Sequence, residues 1–248
     1  MKQSSPPPPP PTIAKTLALN GFATLSLLVV TPAQAITVID TTSSWNGTST
    51  IQPFGGNGAT ATYGQTFTTP TVENVLNSFS FILGNTLNGN PITFQGYVAQ
   101  WDGAKATGPI LYQSADQTYS GGGFQTYTFN TGSLALTPDQ KYVLFLNASS
   151  SFATSGNTQQ ALIFGSGTYS GGDFVFYNNG ANFGALTTTN WDGQEGSRGD
   201  AAFTASFSSS VAVPWETDAL PVFGSTVLFG LGIWGKRKLA QKKTNKKD

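Results

Sequence analysis

Apolar and polar residues alternate with a period of two through much of the chain between positions 36 and 213. From Phe79 to Leu83 and from Ala202 to Phe207, alternate large apolar side chains would face one side of a strand. The run Tyr142–Asn147 is more continuously apolar, which is typical of a strand buried on both faces. The pattern predicts ten strands, at Ile36–Asp40, Ala61–Thr68, Val75–Leu83, Ile92–Trp101, Ile110–Ser114, Gln125–Asn130, Tyr142–Asn147, Ala161–Gly165, Phe174–Asn178 and Ala201–Ser208.

Turn signals separate these segments, among them Asn57-Gly58, Asn88-Gly89 and Gly121-Gly122-Gly123. No window has the period of an amphipathic helix, and Thr137-Pro138-Asp139 would open a single turn at most. Short strands with turns at modest spacing predict an all-β fold, an antiparallel two-sheet sandwich. Among sandwiches, a jelly roll is our first choice.

The first 35 residues have the features of an export leader. Lys2 and Lys15 precede an apolar stretch from Leu17 to Val30, and Ala33-Gln34-Ala35 follows. A positive segment, a short apolar segment and an Ala-x-Ala site are the parts of a signal peptide. We predict export through the Sec translocon and cleavage by signal peptidase after Ala35. A retained membrane anchor is the alternative, although a span needs about 20 apolar residues.

The last 36 residues, 213–248, have three parts. A short polar motif, Val213-Pro214-Trp215-Glu216, precedes an apolar stretch from Ala219 to Trp234. The basic cluster Lys236-Arg237-Lys238 and a lysine-rich end follow. An apolar helix ended by a basic cluster is a stop-transfer element whose basic side stays cytoplasmic. We therefore predict one C-terminal hydrophobic helix in the inner membrane, with the sandwich, residues 36–212, outside the cytoplasm.

This three-part tail resembles the PEP-CTERM sorting signal, which is read by an exosortase in bacteria with two membranes. Where that signal has Pro-Glu-Pro, this chain has Pro214-Trp215-Glu216, similar to variant signals found in cyanobacteria. The resemblance implies transient anchoring, processing by an exosortase-like enzyme near Pro214, and transfer to the cell surface or matrix. An ordinary, permanent single-pass anchor is the alternative. The stretch from Gln65 to Asn147 also resembles the sandwich ectodomains of exosortase-sorted proteins, which are similar in shape to carbohydrate-binding modules.

Composition narrows the function classes. The chain has no cysteine and no histidine, which excludes the usual zinc sites, a thiolate nucleophile and a Ser-His-Asp relay. Its 12 basic and 12 acidic residues cancel overall. Between positions 36 and 213, however, three basic residues stand against nine acidic ones, a net charge of −6. An acidic body repels nucleic acid, so no nucleic-acid partner is expected.

Two tryptophan–aspartate pairs, Trp101-Asp102 and Trp191-Asp192, lie beside turn signals. A tryptophan face and a carboxylate suit a sugar, so these four residues are candidates for ligand binding. Tryptophans near the edge of a sandwich also cap the core, which is the alternative interpretation.

Oxygen ligands for calcium are clustered at Asp192, Glu195 and Asp200. Ordinary solvated turns are the alternative, since aspartates in turns bond to their own backbone. No other metal or cofactor is predicted.

These observations predict a non-enzymatic, exported protein of the cell surface or extracellular matrix, adhesive or associated with surface polysaccharide. A glycan-processing hydrolase that uses only Asp and Glu is the alternative from another class, and a purely structural surface protein is a third.

Overall fold

The computed structural model describes residues 36–56, 58–84, 90–165, 168–193 and 198–210. Within these residues the secondary structure consists of strands and three short 3₁₀ turns, Thr42–Ser44, Ser149–Ser151 and Phe183–Thr187. The strands are β1 Ile36–Asp40, β2 Thr50–Gly55, β3 Thr62–Thr68, β4 Val75–Gly84, β5 Ile92–Trp101, β6 Ala106–Gln113, β7 Gln117–Tyr119, β8 Gln125–Ala135, β9 Lys141–Asn147, β10 Asn157–Ile163, β11 Phe174–Tyr177, β12 Asp200–Ala201 and β13 Phe203–Ser208.

The strands form two antiparallel sheets. In sheet I, neighbouring strands are joined in the order β1-β13-β4-β8, and β10 pairs with the end of β4, with β2 and with β12. In sheet II the order is β11-β3-β9-β5-β6, and β7 pairs with the start of β5. The all-β class and the two-sheet antiparallel sandwich are thus confirmed.

The main core lies between the sheets because each strand presents alternate apolar residues to it. Phe67 of β3 contacts Phe207 of β13, with ring centroids 5.7 Å apart. Phe94 of β5 similarly meets Tyr127 of β8 at 5.0 Å. Phe79, stacked on Phe129 at 4.9 Å, lies in the same layer. These aromatic contacts hold the two sheets face to face, so we call this cluster the inner core.

The central strands of sheet II are buried on both faces, because a segment of chain covers part of the side turned away from sheet I. In β9, Leu144 and Leu146 enter the inner core, whereas Val143 and Phe145 point the other way. We call residues 178–193, which cover that side, the strap. An outer cluster of apolar residues fills the space beneath the strap: Tyr97, Ala99, Trp101, Ala106, Val143, Phe145, Val175, Leu186 and Trp191. The prediction that β9 is buried on both faces is confirmed.

Most predicted strands are present, with shifted ends, and three strands were not predicted. These are β2, which contains Pro53, the three-residue β7 and the two-residue β12. The predicted strand at Ala161–Gly165 lies earlier, at Asn157–Ile163, and the one at Ile110–Ser114 begins at Ala106. The sheets extend through these polar or proline-containing segments because their backbones find partners in neighbouring strands.

The first and last described strands lie side by side, with Ile36 opposite Ser208. Several sequence predictions fall outside the described residues: the cleavage site at Ala33 and Ala35, the motif Val213-Pro214-Trp215-Glu216, and the basic cluster Lys236-Arg237-Lys238. Among the residues that are described, no helix is long and apolar enough to span a membrane.

Candidate functional site

The structure brings Trp101 and Trp191 together, but in the outer cluster. Their exposed fractions are 7% and 2%, and their rings meet edge to face at 5.4 Å. Trp191 also contacts Phe145 edge to face at 5.4 Å, and its indole N–H donates to the Leu186 carbonyl at 2.9 Å. Neither ring therefore offers an open face for a stacked sugar, and both occupy the core position that was the alternative interpretation.

The neighbouring aspartates, Asp102 and Asp192, form hydrogen bonds with nearby parts of the chain. Asp102 Oδ1 accepts hydrogen bonds from the backbone N–H groups of Ala104 and Lys105, at 2.8 and 2.9 Å. Lys105 Nζ donates to Asp102 Oδ2 at 2.8 Å, and this hydrogen bond lowers the pKa of the Asp102 carboxyl. Asp192 is exposed, and its backbone forms two hydrogen bonds with Phe176 of β11. Asp102 thus stabilises its own turn, as aspartates in turns commonly do.

The calcium candidates are not assembled in the part of the chain that is described. Glu195 lies outside the described residues, and no group of three or more acidic residues occurs within them. Asp200 is buried, and its two carboxylate oxygens accept from Gln65 Nε2 and from the Tyr169 backbone N–H, each at 3.0 Å. Because Gln65 lies on β3 and Asp200 on β12, this carboxylate links sheet II to sheet I. Burial raises the pKa of the Asp200 carboxyl.

A different set of side chains lines a groove of about 260 Å³ on the outer side of sheet II, next to the strap. β5 contributes Gln95 and Tyr97, and β6 contributes Gln113. Asn147 ends β9, and Phe183 projects from the strap. The described residues that line this groove are uncharged, and they combine aromatic rings with amide and hydroxyl groups.

The amides of the groove form a connected hydrogen-bond chain. Gln95 Oε1 accepts from the Tyr97 hydroxyl and, at 3.1 Å, from Gln113 Nε2. Gln95 Nε2 donates to the Ser114 carbonyl at 3.1 Å. These bonds use one N–H of the Gln113 amide, so a second N–H and the amide oxygen of this exposed side chain face solvent for a ligand.

The aromatic rings of the groove are packed against one another and against sheet II. Tyr97 stacks on Phe145 with centroids 5.0 Å apart and an interplanar angle of 10°. Phe183, which is half-buried, meets the Tyr97 ring at 5.1 Å. Burial, and to a smaller extent the charge of Asp116, raises the pKa of Tyr97 to about 12. The phenol therefore stays protonated, with its hydrogen directed to Gln95 and its oxygen able to accept.

A buried polar network fixes the strap beside the groove. Asn147 Nδ2 donates to Thr62 Oγ1 at 2.6 Å and to Ser149 Oγ at 3.0 Å. Thr62 Oγ1 donates to Asn179 Oδ1 at 2.7 Å. Asn179 Nδ2 donates to Ser149 Oγ at 2.8 Å and to the Asn182 carbonyl at 3.1 Å. Since Asn179 and Asn182 precede Phe183 in the strap, the network sets the position of that ring.

Sequence reasoning did not find this groove. Its residues come from four separate segments, so no local motif marks it. One signal was present in β5, where Gln95 and Tyr97 occupy alternate positions and therefore share one face of the strand.

No family model matches the chain, and no curated protein matches it. Among solved structures, the chain is similar to the cysteine protease and lectin-like domains of Cwp84, a surface layer associated protein of Clostridium difficile, at 13% identity and a TM-score of 0.34, over 60% of this chain and 32% of that one. It is also similar to a chain in the structure of infectious bursal disease virus Gx strain, at 12% identity and a TM-score of 0.30, over 71% of this chain and 41% of that one. The chain thus spans less than half of either, and these likenesses carry no argument about function.

Proposed function

We propose that this protein is an exported, non-enzymatic β-sandwich that associates with polysaccharide at the cell surface or in the extracellular matrix. The observation that carries the proposal is the groove beside the strap, where the Phe183 and Tyr97 rings lie next to the Gln95 and Gln113 amides. The apolar C–H face of a pyranose packs against an aromatic ring, while its hydroxyls need amide donors and acceptors.

Export is supported by the sequence. The sequence predicts two targeting signals, an export leader that ends at Ala35 and a sorting tail that contains Val213-Pro214-Trp215-Glu216. In this proposal the Sec translocon and signal peptidase act on the first, and an exosortase-like enzyme acts on the second. The tail holds the protein in the inner membrane for a time before transfer to the surface. Mass spectrometry of the native protein tests this, and retention of residues 219–248 in the mature form would favour a permanent anchor.

The finer assignment of the fold as a jelly roll belongs to the same proposal. It is supported by the two sets of four strands, β1-β13-β4-β8 in sheet I and β3-β9-β5-β6 in sheet II. Apart from the β5–β6 hairpin within sheet II, neighbours in each set are distant in sequence and successive strands of the frame alternate between the sheets, as in two interlocked Greek keys. β2, β7, β10, β11 and β12 are additions to this frame.

A glycan array followed by calorimetry of the purified protein tests the binding function. Phe183→Ala removes the aromatic face at the strap and should weaken binding of an array hit about tenfold. Phe164→Ala is the matched control, because Phe164 is 61% exposed and follows β10 of sheet I. Loss of binding in both variants, or in neither, would contradict the assignment of the groove. Absence of any glycan hit would favour the purely structural alternative.

A further inference from the structure

The groove has an acidic neighbour that is held in place. Ser114, which follows β6, donates its backbone N–H to the Gly96 carbonyl at 2.9 Å, and its hydroxyl accepts from the Gly96 N–H at 2.9 Å. The Ser114 carbonyl accepts from Gln95, as described above. The exposed Asp116 follows two residues later, and the next residue, Gln117, pairs with Phe94 of β5. Asp116 is therefore held between two residues that are bonded to β5, the strand that carries Gln95 and Tyr97. Its negative charge contributes, after burial, to the raised pKa of Tyr97, which agrees with this position beside β5.

The basic side chains of the described residues lie elsewhere. They are three: Lys105, Lys141 and Arg198. Lys105 is paired with Asp102 in the turn after β5. Lys141 begins β9, and six residues at about 3.3 Å each separate it by ~20 Å from the groove end of that strand. Arg198 lies over the Phe176 ring, 5.3 Å from its centroid, and Phe176 packs against the inner core on the other side of sheet II.

We propose that the groove binds neutral saccharides and discriminates against acidic ones, with Asp116 as a specificity-determining residue. This inference rests on the proposed function and deepens it. A uronate carboxylate in the groove would lose water, find no cation among the described residues that line it, and meet the negative charge of Asp116. A neutral hydroxymethyl group at the same position would lose much less hydration free energy and would not be repelled by Asp116. Selection by an unfavourable element against the wrong ligand is a common source of specificity.

The test uses pairs of oligosaccharides of equal length and linkage that differ only in oxidation of C6, such as a glucan and its glucuronan, a galactan and its galacturonan, and a mannan and its mannuronan. Calorimetry with the purified protein at low salt should show that the neutral member of the bound pair binds about tenfold more tightly. Raising NaCl to about 0.5 M should narrow this gap by strengthening binding of the acidic member, because salt screens the repulsion.

Asp116→Asn should reduce the ratio of affinities between the neutral and the acidic member about threefold, the size expected for one exposed charge. Asp139→Asn is the matched control, with the same change in net charge. Asp139 lies in the turn before β9, at the end of that strand away from the groove. An asparagine there can still accept the Thr71 hydroxyl, which lies 2.9 Å from Asp139 Oδ1, and it tolerates the local φ of 58°.

The outcomes separate the two proposals. Equal or tighter binding of the acidic members would overturn the inference and leave polysaccharide association in place. A neutral preference that Asp116→Asn does not alter would overturn the role of Asp116. Failure of every pair to bind would overturn both the inference and the proposed function.

Discussion

Replacing Trp191 with alanine should destabilise the protein strongly, because the structure places this indole in a core. The side chain is 2% exposed and contacts Trp101 and Phe145 edge to face. Truncating a buried tryptophan to alanine costs about 3–5 kcal/mol through lost burial and the cavity left behind. The Leu186 carbonyl would also lose its indole donor, which adds about 1–3 kcal/mol if water does not replace it.

Trp191→Phe separates the two parts of this effect. Phenylalanine keeps a ring between Trp101 and Phe145 but cannot donate to Leu186, so we expect a loss of about 1–3 kcal/mol. Urea unfolding of the purified protein, followed by far-ultraviolet circular dichroism, measures the free energy of unfolding without relying on tryptophan fluorescence. The slope of that free energy against urea should stay unchanged if only stability is altered.

A loss of stability below about 1 kcal/mol for Trp191→Ala would refute this reasoning, since changes that small are typical of substitutions outside a packed core, and surface substitutions usually stay within about 0.5 kcal/mol. If such a variant also lost glycan binding, the stacking interpretation of Trp191 would be restored. The opposite result, strong destabilisation by Trp191→Ala and none by Phe164→Ala, would agree with the burial difference between these two residues, 2% against 61% exposed.

Three further predictions concern residues around the sheets. Burial raises the pKa of Asp200 above its ordinary 3.8, so folding favours the protonated carboxyl. The free energy of unfolding should therefore fall as pH rises from 3.8 through the raised pKa. Asp200→Asn should flatten this part of a profile of unfolding free energy against pH. Gly96→Ala places a Cβ 2.6 Å from the Phe129 ring in the inner core. The free energy of unfolding should therefore fall by about 1–3 kcal/mol, which a lower thermal midpoint would show. Asn179→Ala breaks the network that fixes the strap, so amide exchange of the strap should accelerate and glycan binding should weaken together with it, whereas unchanged exchange would contradict the anchoring role.

The strands that could be predicted include β4 and β13, in which the inner core imposes alternation, and β9, whose continuous apolar run is buried on both faces. The strands that could not be predicted follow other rules. In β6, Gly108 and Pro109 interrupt the pattern, yet the strand continues because the register with β5 shifts between Val98 and Gln100 and accommodates the extra residues. In β10, the polar start Asn157-Thr158 is strand because β2 pairs with it. Pairing with a partner strand decided these segments, β5 for β6 and the distant β2 for β10, and the residues of the segments themselves do not contain that information.

The site was harder to predict for the same reason. Trp101 and Trp191 are 90 positions apart, and their mutual contact in the outer cluster depends on the strap crossing sheet II. Without the fold, a tryptophan beside a turn fits a ligand platform and a core cap equally well. Gln113 and Phe183 had no motif around them, and only the pairing of β5 with β6 and the path of the strap bring them to one groove.

The side-by-side pairing of β1 and β13 has a consequence for how the groove would be presented. Ser208 lies opposite both Ile36 and Val75, and Asn74 bonds to Leu136, so both ends of the described body lie near the loops that precede β4 and β9. The groove lies where β9 ends, ~20 Å further along that strand. If the body were attached through either of these ends, the groove would lie at the opposite end of β9 from the attachment and would stay accessible to a long polymer.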